Sequence, residues 1–402
     1  MTANTTSPLD VELHIPTHLE SVISEVSDLY DSEVAPREQA LHHLLSDQSK
    51  FLDETGRLHQ DIIAARREIM AAAGAKNIYS AHLPESLGGR GLGREDMIYV
   101  EEKVYGYGVG LNPALLSWSE GATPRLLHAH AHQKEQFTDP LVKGLKTSLH
   151  GVTETGAGSN LYDMKTNAVR KGSDWVLNGT KMFITNGVHA DLYFIAAKTG
   201  DARHAMSMFI VEKGTPGFSV GRALKKTGWL SSDTAELVLD NVRIPDHHLL
   251  GEENKGFYSV MKNFQTERIA LGAMAIGHCT RALELTLDYV RQRPAFGGTL
   301  WDKQVIRQRL AMLDAKTRSA RQFMYHCAWS VTQDKDIVQE VSMLKALTGE
   351  LVNEVVQTCQ QFHGGMGYIR ETAIERLWRD SRILGIGGGA TEVMLDEVAK
   401  RY

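Results

Sequence analysis

Apolar side chains recur at spacings of three and four over residues 20–31 and 41–73, the signature of helices with one buried face. Pro36, Pro84, the glycines from Gly88 to Gly93, Pro113 and Pro124 punctuate this first stretch. Near Leu149 the pattern changes to short β-type runs at 168–171, 175–177, 192–197, 207–211 and 236–239. Turn residues separate them: Lys171-Gly172-Ser173, Asn178-Gly179, Gly200 and Pro216-Gly217. After residue 255 the helical period returns, over 255–291, 302–331, 336–362 and the last residues of the chain. Nine of the ten prolines lie at or before Pro245. Proline in a helix interior costs about 3 kcal/mol, so this asymmetry favours long helices in the final third. The chain therefore reads as α+β, mainly α. Its expected domains are an N-terminal helical domain over 1–148, with 1–16 polar and frayed, a β-barrel or sandwich over 149–254, and a helical bundle over 255–402.

With 402 residues the chain has ample length for such cores. A charged fraction of 23% and a net charge of −5 give no electrostatic reason to expect nucleic acid or an anionic membrane as a partner. No apolar run approaches the roughly 18 residues of a membrane span. The first lysine or arginine is Arg37, so the N-terminus shows neither the basic region of a secretory signal nor the Arg-rich face of a transit peptide, and a cytoplasmic location is expected. Cys279, Cys327 and Cys359 lie far apart in helical segments, as buried thiols in a reducing compartment would.

Chemistry concentrates between Gln361 and Glu392, where glycines gather twice within helical surroundings, at Gly364-Gly365-Met366-Gly367 and at Gly385-Ile386-Gly387-Gly388-Gly389. Glycine weakens a helix by about 0.5–1 kcal/mol against alanine, so such clusters point to close backbone approach to a ligand. The second cluster holds no acid or base before Glu392. On the helix over 255–291, Phe257, Val260, Phe264, Leu271, Met274, Leu285 and Tyr289 form one stripe, and Glu267 falls within it. A carboxylate among apolar neighbours is desolvated and suited to act as a general base. Pairing with a neighbouring arginine explains the position equally well. Thr153-Glu-Thr-Gly-Ala-Gly-Ser159-Asn160 is a glycine-rich loop bearing hydroxyls, suited to a phosphate or a heteroaromatic edge and equally to a tight turn. In Lys181-Met-Phe183-Ile-Thr185, alternation puts Phe183 and Thr185 on one face, either to cover a flat ring or to pack in a core. Gly89-Arg-Gly-Leu-Gly93 follows no strand and reads as a turn, not a nucleotide fingerprint. His128, His130 and His132 lack a carboxylate or cysteine at ligand spacing, so they read as solvated surface and no metal is expected.

Taken together, these segments resemble the acyl-CoA dehydrogenase family of flavoproteins, from about residue 50 to the end. Leu83-Pro-Glu-Ser-Leu-Gly-Gly89 is similar to the family's N-terminal turn. Val152 to Asn160 is similar to its first signature, with Thr155 where proline is usual and Asn160 where aspartate is usual. Asn178 to Gly187 resembles the flavin-covering strand, Arg293-Pro-Ala-Phe296-Gly with Gln304 the subunit-contact motif, and Gln361 to Tyr368 with Arg379-Asp380 the C-terminal signature.

The resemblance implies N-terminal helices, a β-barrel and a four-helix bundle, assembled as a homotetramer and binding FAD. It assigns Val152, Thr153 and Ser159 to the flavin and its pyrophosphate, and Phe183 and Thr185 to the isoalloxazine, with Phe183 standing where many members carry tryptophan. It places Arg293, Phe296, Gln304, Gln361, Gly364 and Gly365 on FAD at a subunit interface, with Ala390, where threonine is common, and Glu392 as further cofactor contacts. The implied reaction is α,β-dehydrogenation of an acyl-CoA thioester to the trans-2-enoyl-CoA. The family's base most often occupies the position of Gly388; a minority, including the isovaleryl and long-chain branches, carries it where Glu267 stands. Gly388 then supplies a backbone amide to the thioester carbonyl, with Ser159, Gln265, Arg268 and Gly387 as substrate contacts. Gly387 and Gly388, lacking side chains, would leave room for branched or longer acyl groups. An electron-transfer flavoprotein is the implied electron acceptor. Three alternatives stay open: an acyl-carrier-protein thioester as substrate, a flavin-dependent oxygenase or oxidase of the same superfamily, and a non-catalytic helical interaction protein.

Overall fold

The computed structural model describes residues 15–402 except Val109, Trp118, Ser119 and Asp334, and except the side chains of Gln48, Arg125, His128, Ser259, Lys262 and Asn263. The frayed stretch expected over 1–16 falls outside the described residues as far as residue 14. Contacts group the chain into two units: one holds the residues up to Tyr30, Gly93–Pro113 and Gln265–Tyr402, the other Asp31–Leu92 and Ala114–Phe264. The sequence leads to three consecutive domains because it registers changes of period. Contacts instead divide the N-terminal helical segment between the units, according to which core each helix completes.

In the second unit an eight-stranded sheet is built from β1 (Ser148–Gly151), β2 (Asn167–Lys171), β3 (Asp174–Thr185), β4 (Leu192–Lys198), β5 (Met206–Glu212), β6 (Phe218–Ala223), β7 (Thr234–Pro245) and β8 (Leu249–Leu250). The ladder runs β6-β7-β3-β2-β4-β5-β8, and β1 pairs parallel to β4. The sheet folds over a shared interior: Trp175 and Leu177 of β3 and Leu237, Leu239, Val242 and Ile244 of β7 pack with Tyr193, Ile195, Phe209 and Val211 of β4 and β5. The opposite faces of β4 and β5, bearing Leu192, Phe194, Met208 and Ile210, pack against Leu83, Leu87, Phe137 and Leu141. That double burial is why β4 and β5 read as unbroken apolar runs, where a half-solvated strand would alternate.

The helix expected over 41–73 is interrupted. Short helices end at Phe51, and the long one begins only at Gln60 and runs to Ala75. Asp53 causes the break: its carboxylate accepts the amides of Thr55 at 2.8 Å and Arg57 at 3.0 Å, and Gly56 turns the chain at φ +85°. A side chain that offers the backbone such bonds competes with the helix.

The first unit holds the long helices Gln304–Thr332 and Val338–Phe362 and most of Gly256–Gln292, together with Glu20–Leu29 and Arg94–Gly106. Ile98, Ile269, Ala273, Ile276, Met324, Cys327, Val341 and Leu344 form its central cluster. The C-terminal residues form two short helices, Ala373–Ser381 and Thr391–Ala399, separated by the glycine cluster. Among the described residues no helix is long and apolar enough to cross a membrane.

Candidate active site

The residues singled out from the sequence fall into two sets, one in each unit. In the first unit, Glu267 is half-buried on the helix Gly256–Gln292, while the next residue, Arg268, is buried. The Arg268 guanidinium donates from Nε to Gly388 O at 3.3 Å. Burial lowers the arginine's pKa, against the supporting negative charges of Glu267 and Glu397. Glu267 thus has as its chain neighbour the arginine that holds the glycine loop.

The loop's backbone is specialised. Gly388 and Gly389 take φ +68° and +111°, conformations that side chains resist. An ideal Cβ on Gly388 would stand 2.3 Å from Leu271 Cδ1 and 3.9 Å from Glu267 Oε1. The space a side chain would need at Gly388 is therefore filled by Leu271 of the facing helix, so Gly388 leaves no extra room for substrate, whereas at Gly387 a Cβ would meet Ile383 at an ordinary 3.6 Å. The amides of Ile386 and Gly387 both donate to Ile383 O at 2.8 Å, whereas no protein acceptor among the described residues takes the Gly388 amide. A residue not singled out from the sequence holds the loop from the other side. Lys345 is buried at 1% exposure and donates to Leu384 O and Gly389 O, both at 2.7 Å. Burial, and then the charge of Arg268, push its pKa down to about 8, against the pull of Glu267. Its sequence signal is a lysine beside Leu344 and one turn from Val341, within the apolar run of the helix Val338–Phe362.

Gln265 is half-buried two residues before Glu267, Ala390 caps the helix Thr391–Ala399, and Glu392 is exposed in that helix's first turn. Arg293, Phe296 and Gln304 belong to a separate feature, a small hairpin of Pro294–Ala295 and Gly298–Thr299 followed by the helix Gln304–Thr332. Its turn residues Phe296 and Gly297 take φ +52° and +79°, and Phe296 is 95% exposed. Gln361 is the penultimate residue of the helix Val338–Phe362, and ideal Cβ atoms on Gly364 and Gly365 meet nothing within 4 Å.

In the second unit, the loop after β1 lies along β3, with Met182 N donating to Thr153 O at 2.9 Å. Glu154 and Lys181 form a buried ion pair at 2.8 Å, and Lys181 Nζ also reaches Val152 O at 3.2 Å. The Glu154 carboxylate takes the amides of Lys165 at 2.7 Å and Thr166 at 3.0 Å, which fixes the loop's base. This pair, too, lies outside the sequence-assigned site. Farther along, Glu154 and Ala157 exchange backbone bonds of 3.1 Å, while among the described residues no protein acceptor takes the amides of Thr155, Gly156, Gly158 or Ser159. Alternation along β3 is broken by an irregularity between Lys181 and Ile184. Phe183 sits there at φ +60° and 67% exposed; it and half-buried Thr185 flank the buried Ile184. A bulky residue with positive φ is a strained outlier. An exposed aromatic face beside a hydroxyl, with a loop of unclaimed amides on the neighbouring segment, fits a flat heteroaromatic group carrying phosphates.

Among the described residues no three His, Cys, Asp or Glu side chains converge as metal ligands. Exposed His130 and His132 stack with centroids 5.9 Å apart, and His132 meets the backbone of His247. Pro124–His128 and Ala131–Gln133 are separate short turns, so no single helix face carries this trio.

Two family models match the chain: the acyl-CoA dehydrogenase middle domain over residues 150–242 and the C-terminal domain over 254–402. The mitochondrial long-chain specific acyl-CoA dehydrogenase of Rattus norvegicus is 38% identical over 83% of this chain and 79% of the relative. A probable acyl-CoA dehydrogenase from Mycobacterium abscessus, known by crystal structure, matches with a TM-score of 0.86 and 34% identity over 96% of this chain and 98% of that one. A subunit of the caffeyl-CoA reductase–Etf complex of Acetobacterium woodii is 33% identical over 85% of this chain and 89% of its own. The chain belongs to the acyl-CoA dehydrogenase family, whose members are FAD-dependent oxidoreductases. The helical, β and helical-bundle order read from the sequence is that family's fold.

Proposed function

We propose that this chain dehydrogenates an acyl-CoA thioester between its α and β carbons, with Glu267 as the base that removes the α-proton. The observation that carries this reading is the pairing of a carboxylate with an unclaimed amide: Glu267 Oε1 lies 3.9 Å from the side-chain position at Gly388, whose N–H no described protein acceptor takes. An α-proton of a thioester becomes removable when charge developing on the carbonyl oxygen meets a pre-positioned donor. The Gly388 amide is that donor, Glu267 receives the proton, and Gln265, Arg268 and Gly387 would line the substrate's path. FAD, when bound, would supply at its N5 the acceptor for a hydride from the β-carbon. Val152, Thr153 and Ser159 would hold its phosphates and ring edge, and Phe183 and Thr185 would cover its ring. Arg293, Phe296, Gln304, Gln361, Gly364, Gly365, Ala390 and Glu392 would complete the cofactor site, the hairpin residues from a neighbouring subunit of a homotetramer. The relative that belongs to an Etf complex supports an electron-transfer flavoprotein as the acceptor.

Anaerobic mixing of the flavoprotein with butyryl-, isovaleryl- and palmitoyl-CoA tests the reading. Glu267→Gln is expected to keep its yellow FAD and to lower the rate of substrate-driven bleaching by about 10²- to 10⁴-fold, the usual worth of a general base. Near-wild-type bleaching by that variant would sink the base assignment. A strong preference for butyryl-CoA would count against a site open to longer or branched chains.

A further inference from the structure

Lys345 sits where a lysine is costly, buried at 1% exposure on a helix whose neighbouring side chains Val341 and Leu344 are wholly buried. A buried charge persists when its bonds compensate for the lost water. Here the bonds go to two ends of one loop: Nζ lies 2.7 Å from Leu384 O and 2.7 Å from Gly389 O, so a single ammonium ties together backbone five residues apart. The intervening stretch has two further ties, Ile383 O receiving the amides of Ile386 and Gly387, and Gly388 O receiving Arg268 Nε. Gly349 completes the fit, since an ideal Cβ there would stand 2.8 Å from Leu384 O and force the loop off the helix. We infer that Lys345 is a positioning residue for the reaction: its clamp on Leu384 O and Gly389 O sets where the Gly388 amide stands relative to the Glu267 carboxylate. The inference rests on the assignment of those two groups given above. Lys345 itself touches neither the substrate nor the reacting atoms; it acts through the loop.

Charge-assisted bonds of this length are about twice as strong as neutral ones, and a misplacement of an ångström at a reacting centre costs about a hundredfold in rate. Lys345→Met keeps an unbranched apolar stem and deletes both donors. The expected result is a kcat lower by about 10- to 100-fold with KM changed less than about threefold. FAD absorbance should be retained, and deuterium uptake should rise in the peptide spanning 384–390 and not across the bundle. Unchanged kcat, or uptake rising throughout the helices with loss of FAD, would overturn the inference, the second by reducing Lys345 to a structural residue. Should the methionine variant fail to accumulate, Lys345→Gln keeps one short donor and is read by the same three measurements. Wild-type kcat and loop exchange in that variant would overturn the inference equally. Glu267→Gln separates the two readings. If it abolishes bleaching while Lys345→Met is unaffected, the base stands and the clamp falls. If Glu267→Gln is active, the base assignment falls, and loop-confined exchange in Lys345→Met still reports the clamp directly.

Discussion

Arg268 Nε donates to Gly388 O at 3.3 Å, so the residue after the proposed base holds the residue that presents the proposed carbonyl donor. Leu271, one helical turn beyond Glu267, fills the space that any side chain on Gly388 would need. Three positions on one helix face therefore treat the glycine loop differently: Glu267 borders it, Arg268 bonds its carbonyl and Leu271 fills against it. This gives a physical reason for glycine at 388 beyond the requirement for an exposed amide. A loop-borne side chain and Leu271 compete for the same volume.

Gly388→Ala should accordingly damage the enzyme twice. The methyl group meets Leu271 Cδ1 at 2.3 Å, and φ +68° disfavours any Cβ. Overpacking and left-handed strain together amount to about 2–5 kcal/mol at the loop. The expected outcome is a large fall in kcat and a lower thermal midpoint. Leu271→Ala in the same chain should restore part of the loss, because it vacates the contested volume while leaving the strain. Additive losses in the double variant, measured as a mutant cycle, would show that the two residues do not compete.

Phe183 offers the opposite case. It is 67% exposed at φ +60°, so its ring contributes little to the β core and its backbone is strained. Phe183→Gly should leave the thermal stability of the apoprotein equal or higher by about 1 kcal/mol, through release of the left-handed conformation. FAD retention should weaken, by roughly 2- to 10-fold for a lost aromatic face. Titration of the apoprotein with FAD, set beside its melting curve, separates these effects. A marked loss of apoprotein stability would place Phe183 in the core.

How far the sequence disclosed all this depended on which physical signal each residue leaves. The strands and long helices were legible because their apolar periods and the scarcity of late prolines are properties of single segments. The break after Phe51 was not, because it depends on what the Asp53 carboxylate bonds. Glu267 is marked by its place in an apolar stripe, and the glycine clusters by their position within helical surroundings. Lys345 and the Glu154–Lys181 pair leave no such signal, since a lysine among apolar neighbours reads as the solvent edge of a helix or strand until its partners are known. For Phe183, strict alternation is not a sufficient guide where β3 is irregular, and the ring is exposed at that irregularity.

The hairpin tip gives a prediction about assembly. Its two-residue turn has both residues at positive φ, the geometry that favours Asn-Gly, yet Phe296 occupies the first position and is 95% exposed. Phe296→Asn should therefore leave the isolated subunit's stability unchanged or raise it by about 1 kcal/mol. If the ring is covered by a neighbouring subunit, the same change should weaken assembly. Light scattering over a dilution series is expected to show the variant dissociating at higher concentration than wild type. Identical dissociation would remove Phe296 from the interface.

The buried pair beneath the 153–160 loop makes stability depend on acid in a definite direction. Burial alone would raise the Glu154 pKa, but the Lys181 charge and the bonds from Lys181, Thr166 and Lys165 outweigh it, and the carboxyl is held below its ordinary 4.5. Between that lowered value and 4.5 the unfolded chain binds more protons than the folded one. The contribution of Glu154 is thus full above pH 4.5 and is lost as pH falls through the folded value. Lys181, pushed down to about 8 by burial against the pull of Glu154, acts in the alkaline window: its burial penalty is full below pH 8 and is relieved between 8 and 10.5. At neutral pH, Lys181→Met strands a buried carboxylate and should cost about 3–5 kcal/mol, whereas pairing it with Glu154→Gln should recover most of that loss. Melting curves at descending pH should show the gap between wild type and the double variant narrowing once pH drops below 4.5. A gap that stays constant to the acid limit of folding would mean that Glu154 does not carry this dependence.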